Sequence, residues 1–162
     1  MKVIKAPKPI PPSDEPHVFL AGSIEQDTAE DWQHRFARAM DGFDCVLLNP
    51  RRDEWDSTWT EDSPMFQKQV TWELNALDLS DVIVMYFDPA TKSPITLLEL
   101  GLYAKSGKLI VCCPEGFWRR GNVRIVCERH GVPMYPTLED LAVAAKSRVS
   151  AMKMLRLIRS KR

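Results

Sequence analysis

The stretch Val82-Ile83-Val84-Met85-Tyr86-Phe87, followed by Asp88 to Ser93, Pro94 to Ala104 and Leu109-Ile110-Val111-Cys112-Cys113, decides the fold. Its two short β-branched runs are uniformly apolar, as in parallel strands covered on both faces. The segment between them reads as a helix over about 94–106. Ser93 stands where an N-cap hydroxyl accepts an orphan amide. Pro94 suits the first helical position, and Gly107 a left-handed C-terminal cap. Strand, helix and strand therefore form one βαβ unit.

The same alternation extends outward. Further strands are expected at Val18-Phe19-Leu20-Ala21 and Cys45-Val46-Leu47-Leu48, with a weaker one at Val132-Pro133-Met134-Tyr135. Helices are expected at about 28–41, 64–79 and 119–130, with a long one from about 137. The implied fold is α/β, a flavodoxin- or Rossmann-like doubly wound parallel sheet of five strands with helices on both faces. Residues 1–16 carry five prolines and three lysines and read as a Pro-rich arm outside the core. The expected organisation is an arm over 1–16, a domain over 17–145 and a basic helix end over 146–162.

The 162 residues suffice for one cored domain. Acidic and basic residues balance at 22 each, so net charge does not point to a nucleic-acid polymer or an acidic membrane. No apolar run reaches the roughly 20 residues that span a bilayer, and the N-terminus lacks the apolar core of a signal peptide. Cys45, Cys112, Cys113 and Cys127 have no metal-ligand spacing and read as buried thiols of a reducing cytoplasm. No metal and no cofactor is expected. The last helix mixes Lys146, Arg148, Lys153, Arg156, Arg159, Lys161 and Arg162 with apolar residues. Such a helix either touches a membrane or RNA, or packs one side on the body and solvates its charges.

In doubly wound sheets ligands sit at the carboxyl ends of the strands. Glu99 lies in the second turn of the helix after one such end, among leucines. Either it points to water, or it is a desolvated carboxylate fit for acid, base or nucleophilic work. The turn Gly22-Ser23-Ile24 allows close backbone approach beside a hydroxyl. It is neither a dinucleotide fingerprint nor a triphosphate loop. Asn49 to Trp59 gathers Arg51, Arg52, Asp53, Trp55 and Trp59; the tryptophans either pack down or stack on a planar ligand. Asp53 is a candidate acceptor for a base or sugar, and Glu73 a second candidate acid. Asp81 reads as a structural cap.

Gly22-Ser23-Ile24, Glu73-Leu74-Asn75 and the series Ser93-Pro94, Glu99-Leu100-Gly101, Ala104, Gly107-Lys108 are placed as in the nucleoside 2-deoxyribosyltransferase superfamily. The chain resembles its "2-deoxyribosyltransferase-like" branch over about residues 17–141. The resemblance implies an enzyme, a deoxyribosyltransferase or N-glycoside hydrolase, in which Glu99 attacks C1′ and forms a glycosyl-enzyme intermediate. It implies that Glu73 is the acid-base group, at a place where the family carries aspartate.

Where free-nucleoside transferases hold the sugar with aspartate, this chain has Ser93, as in the related 5′-monophosphate hydrolases. Those hydrolases follow their Ser-Ile pair with arginine; here Glu25 follows, leaving Arg51, Arg52, Arg119 or Arg120 to offset it. Asn122 stands near an asparagine that reaches a neighbouring subunit's sugar, which implies a homo-oligomer with shared sites. A non-catalytic nucleotide-binding module is the remaining alternative.

Overall fold

A computed structural model describes residues 1–24, 29–53 and 58–160. Trp55 and Glu25, both singled out in the sequence, lie outside the described residues. In chain order the elements are β1 (Lys2–Lys5), β2 (His17–Gly22), α1 (Trp32–Ala39), β3 (Val46–Asn49), α2 (Pro64–Leu79), β4 (Val82–Tyr86), α3 (Pro94–Tyr103), β5 (Leu109–Cys112), α4 (Arg120–His130), β6 (Met134–Tyr135) and α5 (Leu138–Ser160). The sheet runs β1-β3-β2-β4-β5-β6 and every pairing is parallel.

The expected five-stranded sheet is corrected to six strands among the described residues. Proline density had set the arm aside, but Lys2-Val3-Ile4-Lys5 precedes the first proline and pairs with Val46–Asn49. Ile4 and Ala6 are buried in the core, which repays ordering the arm. An edge strand tolerates the flanking lysines and the prolines that follow. The arm then returns along α2, where Trp72 Nε1 donates to the Lys8 carbonyl at 2.7 Å.

Two apolar layers sandwich the sheet. On one face Trp72, Ala76 and Leu77 of α2, Leu100 of α3, and Val123 and Cys127 of α4 pack on alternate strand residues such as Phe19, Ile83 and Val111. On the other, Trp32 and Phe36 of α1 and Leu141, Ala145 and Val149 of α5 cover Val18, Val84 and Ile110. All four cysteines are free and buried, and burial pushes their thiols up. Among the described residues no helix is long and apolar enough to cross a membrane.

The charges of α5 are tied down more than the sequence suggested. Arg156 Nη2 reaches both carboxylate oxygens of Asp81 at 2.8 Å, and Asp81 accepts the His17 amide at 2.8 Å. Lys153 meets Glu15 and Asp44, and Arg148 donates to the Gly107 carbonyl. These contacts hold the helix across the amino-terminal edge of the sheet, away from the carboxyl ends of the strands.

Candidate active site

With β1 set aside, the order β3-β2-β4-β5-β6 reverses direction between β2 and β4, so the crevice for a ligand opens above that pair. Gly22 and Ser23 leave β2 there, and Asp88 to Ser93 leave β4. At Gly22 φ is 151°, and an added Cβ would stand 2.5 Å from the Tyr86 carbonyl and 2.7 Å from the Trp32 ring. A backbone oxygen cannot yield as a flexible side chain can. Gly22→Ala is expected to cost at least about 2–3 kcal/mol by overpacking and backbone strain, readable as a fall in the urea midpoint; an unchanged midpoint would refute the tight packing.

The glycine turn delivers Ser23 to a buried hydroxyl cluster. Ser23 is 1% exposed, and its Oγ accepts the Asp88 amide at 2.9 Å and the Thr91 hydroxyl at 2.9 Å. It also shares a short hydrogen bond with Ser93 Oγ, which lies 2.7 Å from Thr91 Oγ1. Asp88 braces the loop, accepting the amides of Ala90 and Glu30. Trp32 Nε1 donates to the Ser23 carbonyl at 3.0 Å.

Ser93 departs from its expected role. Its φ is 49°, in the left-handed region, and its hydroxyl makes no cap bond to α3. Satisfying Ser23 and Thr91 takes precedence over the helix amides. Gly107 likewise does not cap α3, which ends at Tyr103; its φ of 73° serves the turn into β5.

Glu99 faces inward. It is 8% exposed, while Ile95, Leu98 and Leu102 on the other side of α3 are 60%, 59% and 59% exposed. Burial, and then repulsion from Glu73, push its carboxyl up to about 8. Glu73, half-buried on α2, is also raised, first by burial, against a lowering hydrogen bond from Gln69. Two like carboxyls in low dielectric do not both ionise readily, so the pair retains a proton at neutral pH.

The structure thus brings Glu99 and Glu73 within electrostatic reach and joins Ser23 to Ser93, with Gly22 and Ile24 in the same turn. Asp53 is exposed and paired with Lys5, which holds its carboxyl below the usual range. Asn122 is exposed in the first turn of α4. Trp59 is half-buried with the Arg52 guanidinium 4.8 Å above its ring. Thr91, Asp88 and Gln69 were missed in sequence. The first two lie in a loop that the strand-end rule nominates, and Gln69 stands four residues before Glu73, one helical turn away. Among the described residues no three potential ligands gather as a metal site.

These features define a flavodoxin-like α/β domain in which Glu73 of α2 and Glu99 of α3, on the helices before and after β4, lie within electrostatic reach of each other. The family described as "nucleoside 2-deoxyribosyltransferase like" matches residues 15–117, and the chain belongs to that family. The fold is also similar to a crystal structure of a conserved protein from Enterococcus faecalis V583. There the TM-score is 0.61 at 14% identity, over 83% of this chain and 99% of that one. No curated protein matches the chain significantly.

Proposed function

We propose that the protein cleaves or transfers the N-glycosidic bond of 2′-deoxynucleosides through a covalent intermediate on Glu99. The observation that carries this reading is the burial of Glu99 within electrostatic reach of a second acid, Glu73, in a chain of this family. A Glu99 carboxylate oxygen attacks C1′ as the bond from C1′ to the base nitrogen breaks. Positive charge developing on the sugar draws out the anionic form of Glu99; the proton that Glu99 holds in the free enzyme moves to Glu73, which passes it to the departing base. A second base, or water deprotonated by Glu73, then attacks C1′ from the vacated face and releases Glu99, with net retention.

One observation favours a 5′-monophosphate as substrate. The Ser23, Thr91 and Ser93 hydroxyls are neutral and stand beside the N-terminus of α3, where helix amides and dipole suit an anion. Base release measured by chromatography across deoxynucleosides, their 5′-monophosphates and ribosides, with and without acceptor base, tests both readings. Glu99-dependent release supports the chemistry, and its dependence on phosphate or acceptor names the substrate and the reaction. No release from any compound overturns the catalytic reading in favour of a binding module.

The apolar side of α3 fits a second copy of the chain seated beside the site. Leu98→Glu would place a charge at the centre of the Ile95, Leu98 and Leu102 stripe. The expected result is a change from oligomer to monomer by light scattering; a wild-type monomer would overturn this assembly.

A further inference from the structure

Gln69 lies one turn before Glu73 on α2 and is 3% exposed. Its amide nitrogen donates to the Pro50 carbonyl at 2.9 Å and to Glu73 Oε1 at 2.8 Å. Both N–H bonds of the amide are thereby used, and the opposite orientation would set its carbonyl against two acceptor oxygens. Gln69 Oε1 meanwhile is buried with no hydrogen-bond partner among the described residues. A buried acceptor left unpaired is costly and needs a reason. The two donated bonds supply it: they span from the residue that follows β3 to the candidate acid, and only this amide orientation makes both.

We propose that Gln69 is a positioning residue for Glu73. It holds Oε1, leaves Oε2 as the oxygen that carries and delivers the proton, and ties that carboxyl to the start of the β3–α2 connection. This rests on the acid-base role proposed above for Glu73. The titratable group that faces Glu73 across the site is Glu99 of α3. An N–H donated to a carboxylate favours its ionised form, so Gln69 opposes the upward push of burial on Glu73. Removing the donor must therefore raise the Glu73 midpoint.

The test is a carboxyl carbon-13 titration of the protein labelled at glutamate, with the Glu73 resonance assigned through Glu73→Gln. Gln69→Leu keeps the approximate size but cannot donate; Gln69→Met serves if the leucine variant does not fold. The expected result is a rise of about one pH unit in the Glu73 midpoint. In base release, kcat falls with KM little changed, and the alkaline limb moves up by the same amount. An unmoved midpoint in a folded variant, or unchanged kcat, overturns the proposal. Absence of turnover in the wild type overturns the proposed function alone, because the titration still decides whether Gln69 governs Glu73.

Discussion

Glu99→Gln is expected to lower base release by at least about 10⁴-fold, the scale on which loss of a covalent nucleophile is felt. The substitution is nearly isosteric, so the helix and its leucine packing survive while the attacking oxygen is replaced by an amide. A glycosylated peptide containing residue 99, trapped with a slow 2-fluoro sugar substrate, should be found by mass spectrometry in the wild type and be missing in the variant. Retention of more than a tenth of the activity would remove Glu99 from the chemistry.

The same variant carries a stability signature that needs no substrate. Burial and Glu73 raise the Glu99 carboxyl from 4.5 to about 8. For an acid raised in the folded state, the stabilising contribution is fully present below the unfolded value and is lost as pH rises through the folded one. Wild type should therefore lose on the order of 1.4 kcal/mol per pH unit between those values. Glu99→Gln has no proton to lose. Its melting temperature should match wild type near pH 4, exceed it increasingly up to about pH 8, and hold a constant excess above that. A difference that stays constant with pH would contradict a buried, protonated Glu99.

Glu73→Gln is expected to cost about 10²- to 10⁴-fold on ordinary substrates, the usual range for general acid catalysis. The loss should depend on the leaving group. A 7-methylpurine deoxynucleoside already carries the positive charge that protonation would supply, so its base departs without an acid. On that substrate the variant should stay within a few-fold of wild type in the first step. An equal loss on both substrates would assign Glu73 to folding or binding and not to proton delivery.

Much of this architecture is legible in the sequence because its signals are local. Uniform apolar runs at 82–86 and 109–112 announced buried parallel strands, and α2 matched its expected bounds at Pro64–Leu79. Glu99 stood out because an ionisable group among leucines is costly wherever it is not used. What stayed hidden depends on partners distant in the chain. β1 needed β3 to become a strand, since a four-residue segment beside prolines has little local preference. The Ser93 hydroxyl was read as a helix cap because its nearest donors are helix amides, whereas its real partners include Ser23, 70 residues away. Gln69 carried no signal beyond its spacing from Glu73. The amide's second anchor, the Pro50 carbonyl, stands 19 residues earlier, just after β3.

The arm strand also bears on how the chain is made. β1 leaves the ribosome before β2 and β3, yet its neighbour in the sheet among the described residues is β3, whose Val46 pairs with Lys2. β3 in turn borders β2. Until some forty further residues have emerged, Val3 and Ile4 have no sheet to join, so this segment must wait uncommitted. Synthesis at about 5–20 residues per second makes that wait a matter of seconds. During it, the segment that finally seals one flank of the domain is the part most open to chaperones and proteases.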